Sequence, residues 1–402
     1  MALNKPRELD VLVVGAGPAG ATAALNLAPT RSVALIDVCA ESRQRIGESL
    51  PAAARRLLAD MGLWDSFLAE KHSPCYFNRA VWGSDQAYET DLLRDPDGHG
   101  WHIDRARFER WLRRVAVERG AELIAPARIC AIDRERDRWR ILLRTAAEAL
   151  ELTPRFVIDA GGRAAPLSRR VGACRRIDDR LVCGYVYGTD GAPEMGAGFT
   201  YVEAVEQGWW YTAPLTSGRR VLAFHTDAGL PAAQFARSPI KILELARTAP
   251  GLARLLSETR FSSSNDLLTQ DSTATASASD FGFAAAHSAM LRPTAGPGWC
   301  AAGDAAMSFD PLSSQGLLNA LFTGLAAADA ADRCLRGENE DALAEYRQTL
   351  RGIYKAYREH LYYWYGAETR WPDAPFWRRR QLTNAMNYTT VAATAPTGVK
   401  LT

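Results

Sequence analysis

Apolar positions along this chain follow two distinct patterns. Val11-Leu12-Val13-Val14, Val33-Ala34-Leu35-Ile36, Phe156-Val157-Ile158 and Gly298-Trp299-Cys300-Ala301-Ala302 are near-continuous runs, which predict short buried strands. Leu181 to Tyr187, Gly198 to Val205, Trp209 to Pro214 and Arg220 to Thr226 alternate apolar with polar residues, which predicts antiparallel strands. Helical spacing fills much of the remainder. Ala19 to Leu27 is alanine-rich, Ala106 to Arg119 is amphipathic, and Leu317 to Ala331 is rich in Leu and Ala and reads as a buried helix. Arg128 to Thr145 reads as a β-hairpin, and the Ser/Thr/Ala-rich stretch Ser262 to Ser279 as a loop and an edge strand. From Asp341 the chain is helical, then aromatic-rich to about Arg380, then irregular.

These elements sort into an α/β fold. A Rossmann-like nucleotide-binding domain is expected in three pieces, residues 1–75, 101–180 and 281–340. Residues 76–100 and 181–280 are expected to form an antiparallel-sheet substrate domain, and 341–402 a helical, aromatic-rich C-terminal region.

Gly15-Ala16-Gly17-Pro18-Ala19-Gly20 lies between the first buried run and the alanine-rich helix, and Asp37 closes the next strand about twenty residues on. Strand, glycine turn, helix, strand and acid follow one another as in a dinucleotide site. Gly15 permits the tight turn, Gly17 the approach of backbone to a pyrophosphate, and Gly20 the close seating of helix on strand. Ala19 stands at the helix N-terminus, whose free N–H groups suit phosphates. Asp37 is the candidate acceptor of ribose hydroxyls.

Two later turns narrow the choice of dinucleotide. Asp159-Ala160-Gly161-Gly162 follows one apolar strand and Gly303-Asp304-Ala305-Ala306 another. A second glycine turn ending in an acid suits a long cofactor whose ribityl chain needs a carboxylate, for which Asp304 is the candidate. Pro311-Leu312-Ser313-Ser314-Gln315-Gly316 then leads into the Leu/Ala-rich helix. The helix N-terminus near Gly316 and Leu317 offers N–H groups and positive potential, suited to the negative charge of a reduced flavin. Pro311, Ser314 and Gly316 are the flavin-facing candidates for catalysis, with Asp159, Gly303, Asp304 and Leu317 among the cofactor-binding ones.

Composition sets broad bounds. The 402 residues suffice for two domains, and 47% hydrophobic with 23% charged residues is ordinary for a globular enzyme. A net charge of +2 does not point to nucleic acid, and the arginines from Arg134 to Arg140 alternate with acids as on a solvated face. Seven scattered cysteines suggest free thiols in a reducing compartment. No signal peptide is expected before so early a strand, and no apolar run approaches the ~20 residues of a membrane span. A cytoplasmic location is the expectation. None of the six histidines pairs with a carboxylate in a metal-binding pattern, so no metal is expected.

Together the glycine and aspartate segments resemble the FAD-containing aromatic hydroxylase and flavin-dependent halogenase superfamily, which shares the para-hydroxybenzoate hydroxylase fold. The resemblance covers most of the chain. It implies FAD, O2, and either NAD(P)H or separately supplied reduced flavin as electron donor. Its chemistry is attack of an electron-rich aromatic ring on a flavin C4a-hydroperoxide. It also implies that Arg105, opening the pattern Arg105-x-x-Phe108-Glu109-x-x-Leu112, reaches the phosphate and ribityl region. Arg45 and Ser49, within Arg45-Ile46-Gly47-Glu48-Ser49-Leu50-Pro51, would lie beside the adenosine and isoalloxazine; a purely structural part at a helix start is the other reading of Ser49-Leu50-Pro51.

Halogenases of this superfamily hold a lysine on the strand after the first helical segment and a Trp-x-Trp-x-Ile-Pro segment. Here Tyr76-Phe77-Asn78-Arg79-Ala80-Val81-Trp82 has no lysine, with Asn78 near its place, and the second segment reads Trp209-Trp210-Tyr211-Thr212-Ala213-Pro214. A monooxygenase is therefore preferred. A halogenase, an isoprenoid-chain reductase and a non-catalytic flavin-binding chaperone are the alternatives. Arg45 to Pro51, Asn78 to Asp85, Gly98 to Arg105, Gly208 to Tyr211 and Phe376 to Arg379 further resemble the flavoproteins that mature quinone-cofactor enzymes. These hydroxylate a tryptophan of a partner protein on the way to cysteine tryptophylquinone; small-molecule hydroxylases sharing the segments are the other reading. Trp209, Tyr211, His102 and His225 mark the expected substrate region, although a hydrogen-bonded structural role is the default for both histidines. The aromatic stretch from Tyr362 to Trp377 reads as core or interface rather than a catalytic cage, and Arg378-Arg379-Arg380 beside it suggest a lid over the cavity or a docking surface that meets an acidic partner.

Overall fold

In the computed structural model the described residues are 6–42, 44–190, 198–216, 218–257, 259–261 and 280–381. The Ser262–Ser279 stretch and the tail from 382 onward lie outside them. The near-continuous apolar runs stack as a parallel sheet in the order Trp299–Ala301, Ala149–Asp159, Arg7–Val14, Val33–Ile36, Glu122–Ile124. Burial of both faces explains the lack of alternation, since Val11 to Val14 have solvent on neither side. The hairpin of Ala127–Glu135 and Arg138–Thr145 joins this sheet antiparallel to Ala149–Asp159. Helix Pro18–Leu27 packs against both Arg105–Glu118 and Gly316–Leu335 and against the sheet. Small residues allow this closeness: a Cβ on Gly324 would collide with the Ala19 carbonyl oxygen.

A second sheet has the order Thr259–Phe261, Leu181–Asp190, Arg219–Asp227, Gly208–Pro214, Phe199–Val205, Phe77–Val81, Tyr88–Asp91. It is antiparallel except where Phe199–Val205 runs parallel to Phe77–Val81. Alternation is weaker than the sequence suggests, because this sheet is also covered on both faces. Helices Ala232–Phe235, Pro239–Ala246 and Pro250–Leu255 bury Phe224, Trp210 and Tyr201 on one side. Phe281–Ala285, expected to open the last nucleotide-binding piece, pairs with Leu181–Asp190 of the second sheet instead. Ser49–Leu50, Gly100–His102 and Ser73–Cys75 form a small sheet of their own.

The long helix Asn339–Ala367 buries a seam of Tyr346, Leu350, Tyr354, Tyr357, Leu361 and Tyr365 at helical spacing. Tyr365, Phe376 and Trp377 are core residues, whereas Tyr363 and Trp364 are exposed. The expected arginine surface is largely consumed internally: Arg379 and Arg380 both pair with the buried Asp227, at 3.2 and 2.9 Å. Among the described residues no helix is long and apolar enough to cross a membrane.

Candidate active site

A cavity of about 840 Å³ lies between the C-terminal ends of the parallel strands and one face of the second sheet. Gly15, at φ +98°, turns the chain out of the first strand in a conformation that side chains resist, and a Cβ there would strike the Ala160 carbonyl. Gly17 and Ala19 line the cavity; Gly20 does not, and packs instead against the Gly15 carbonyl. At Gly17 a Cβ would meet no protein atom within 4 Å, so the glycine leaves cavity space open to a ligand. The N-termini of Pro18–Leu27 and Gly316–Leu335 both border the cavity. Asp37 lines it too, its carboxylate accepting the Ala16 N–H at 2.7 Å, the Cys39 N–H at 2.8 Å and Arg113 at 3.2 Å.

Arg45, Ser49 and Arg105 stand in the opposite part of the wall. Arg105 is held by Glu109 at 2.7 Å and by the carbonyls of Ile46 and Gly47 at 3.3 and 3.1 Å. Asp304 lines the cavity with Arg163 at 3.5 Å. Gly303 lies behind it, giving its N–H to Thr323 at 2.8 Å. Pro311, Ser314, Gly316 and Leu317 complete this side, with Ser314 in the left-handed region at φ +52°. For a non-glycine residue that conformation carries a cost, and such strain concentrates at functional sites.

Besides Gly20 and Gly303, three expected site residues stand off the cavity wall. Asp159 is fully buried, and its carboxylate is taken up by the N–H groups of Gly161, Leu167 and Ser168 and by the Ser168 hydroxyl. It shapes the turn, while its neighbours Ala160, Gly161 and Gly162 line the cavity. His102 is buried away from the wall and bonds Thr200 at 2.9 Å. Trp209 lies behind His225, stacked on it at 3.6 Å with planes 4° apart, and its indole N–H reaches the Tyr365 hydroxyl at 3.1 Å. His225 and Tyr211 do face the cavity, beside Cys183 and Tyr185. Burial pushes His225 down to about 3, leaving a neutral imidazole, and holds the Tyr211 phenol well above its ordinary value. The Tyr211 hydroxyl is buried without a protein hydrogen-bond partner.

Two buried wall carboxylates carried no sequence-level assignment. Glu48 has no solvent exposure, yet its carboxylate receives the Tyr187 hydroxyl at 3.1 Å and the Gly47 N–H at 2.9 Å. Burial outweighs those bonds and pushes its carboxyl up to about 7. Asp310 is pushed up to about 7 by burial and by Asp179, against the lowering influence of Arg380. The only sequence signals were an acid inside an otherwise assigned segment and an Asp-Pro turn.

The FAD binding domain family matches residues 8–349. The chain belongs to that family. It is therefore an FAD-dependent oxidoreductase, and its glycine-lined, arginine-flanked cavity fits a dinucleotide. The FAD-dependent oxidoreductase LodB of Marinomonas mediterranea is 29% identical over 387 residues, 94% of this chain and 98% of that protein. Three flavin-dependent halogenases of Armillaria mellea are 24–27% identical, and the chain spans 67–73% of their length. Among solved structures, the myxobacterial chondrochloren halogenase CndH shares the fold with a TM-score of 0.82 at 23% identity, over 96% of this chain and 90% of that one. QhpG, a peptidyl tryptophan dihydroxylase essential for tryptophylquinone cofactor biogenesis, aligns with a TM-score of 0.67 at 25% identity, over 93% of this chain and 79% of its own.

Proposed function

We propose that this protein is an FAD-dependent monooxygenase that hydroxylates an electron-rich aromatic ring, a tryptophan carried by a partner polypeptide. The observation that carries this reading is the composition of the cavity wall: Tyr185, Tyr211 and neutral His225 share it with Pro311, Ser314 and Gly316, and no lysine lines the cavity among the described residues. When bound, FAD supplies the activation of O2, with electrons from NAD(P)H or a separate reduced flavin.

The chain's own residues then hold and orient. The turn from Gly15 to Ala19 and the helix N-terminus behind it bind the pyrophosphate, Asp37 takes the ribose hydroxyls, and Arg105 and Asp304 secure the middle of the cofactor. Arg45 and Ser49, which also line the cavity, would help hold the bound cofactor. The Tyr211 ring forms part of the wall against which an aromatic substrate would pack. Glu48, ionised in part near neutral pH, accepts the proton released as the ring regains aromaticity. The apolar wall excludes water from the reacting face.

The substrate class is supported by the likeness to QhpG, and the location of turnover is cytoplasmic in keeping with the free cysteines. Halogenation is the second reading, favoured by the number of halogenase relatives. The lysine-free wall weighs against it. Turnover on free tryptophan and simple phenols, compared with a candidate precursor polypeptide, tests the substrate assignment. The polypeptide should be hydroxylated far faster. Efficient hydroxylation of the small molecules alone would remove the polypeptide substrate and leave the monooxygenase.

A further inference from the structure

Asp310 belongs to two walls at once. Besides the flavin cavity, a second cavity of about 460 Å³ is bounded by Asp179, Asp227, Arg358, Tyr365 and Arg380, and Asp310 is the residue common to both. Every residue lining the second space except Leu361 bears a charged or hydroxyl group, so it has polar partners for water. Asp310 itself is 1% exposed. Its Oδ2 accepts the Tyr365 hydroxyl at 2.7 Å and its Oδ1 the Leu312 N–H at 2.9 Å. Its own N–H donates to the Tyr357 hydroxyl at 2.7 Å. Asp179, Arg380, Tyr357 and Tyr365 are the titratable and charged groups that face it.

Reduction of a bound flavin and release of protons from a ring both require exchange with solvent, while the reacting face must stay dry. A carboxyl that lines both the flavin cavity and a second cavity rich in polar side chains meets both needs. We propose that Asp310, positioned by Tyr365, carries protons between the second cavity and the flavin cavity. A hydronium ion in the second cavity gives a proton to a carboxylate oxygen and is left as water, and the carboxylic acid then gives a proton to a basic atom of whatever is bound in the flavin cavity. The carboxylate returns to its starting state, and no electrons move. Tyr365 fixes the carboxylate through its hydroxyl and is a positioning residue. Because burial and Asp179 oppose Arg380, both protonation states of Asp310 are populated near neutral pH.

This inference rests on the proposed placement of FAD in the larger cavity but not on the identity of the substrate. The test therefore uses the FAD-loaded protein alone. Bound FAD is reduced chemically in weakly buffered solution, and proton uptake is followed by an indicator dye on rapid mixing. In the wild type, proton uptake should keep pace with flavin bleaching. Asp310→Asn should slow uptake by at least about tenfold, with formate or azide restoring it, and Asp310→Glu should retain most of the rate. Tyr365→Phe should slow it less and raise the solvent deuterium isotope effect. Wild-type uptake in Asp310→Asn, or slowing that neither small acids nor Asp310→Glu relieve, would overturn the proposal. Should Asp310→Asn fail to retain FAD, the Tyr365→Phe isotope effect decides, and an unchanged value counts against it.

Discussion

Gly17 and Gly20, three residues apart, are glycine for different reasons. A side chain at Gly17 meets only the cavity, whereas one at Gly20 meets the Gly15 carbonyl. Gly17→Val should therefore fold normally and purify without flavin, because the side chain takes space the pyrophosphate needs. Gly20→Ala should lose about 1–3 kcal/mol of stability from overpacking, whatever its flavin content. Flavin absorbance and urea denaturation separate the two, and a yellow Gly17→Val protein would contradict the placement. The glycines were legible in the sequence because backbone geometry restricts them to few residue types. Glu48, Asp310 and Asp159 were not, because the depth at which a carboxylate is buried depends on segments far away in the chain. Their environments make the pH prediction. Glu48 keeps its proton in the folded state up to about 7 and releases it near 4.5 when unfolded. The folded state thus holds more protons between those values, and Glu48 costs stability progressively as pH rises through that window. Glu48→Gln cannot ionise, so its stability relative to wild type should rise from pH 4.5 to about 7 and level off above. A difference independent of pH in urea denaturation would contradict the burial of this carboxylate.

At the scale of elements, the helix Arg105–Glu118 links both ends of the site. Arg105 faces the cavity from its first turn, and Arg113 ties the Ala16 carbonyl and Asp37 from its third. The helix is capped by Asp104, whose side chain accepts the Arg107 N–H at 2.9 Å. Asp104→Ala should cost about 0.5–2 kcal/mol, read as a lower denaturation midpoint. An unchanged midpoint would mean that packing alone holds the helix start. Its apolar periodicity made this helix readable to within a residue. The strand Arg219–Asp227 was readable as a strand but not as one buried on both faces, because Arg220 and His225 look like solvent-facing positions. Helices Ala232–Phe235, Pro239–Ala246 and Pro250–Leu255 supply the cover, and each is too short for its pattern to stand out. Tyrosines in Asn339–Ala367 show the same dependence on distant segments. Tyr346, Tyr357 and Tyr365 bury their hydroxyls against the Ala301 carbonyl, Ser288 and Asp310, partners that local pattern cannot name.

Across the whole molecule, a parallel sheet and a mainly antiparallel one meet at a single large cavity, and the long C-terminal helix locks the turn around Asp310 from behind. Pairing of Phe281–Ala285 with Leu181–Asp190 stitches the two halves together, a non-local choice that no local pattern encodes. The parallel sheet borders the candidate cofactor residues and the second sheet presents Tyr211 and His225, so the chemistry depends on both. The decisive measurement is the fate of oxygen and halide in one reaction. FAD-loaded, reduced protein is exposed to isotopically heavy O2 with an aromatic acceptor, chloride and bromide, and the product is weighed by mass spectrometry. The account predicts gain of heavy oxygen and no halogen; a chlorinated or brominated product without added oxygen would contradict it.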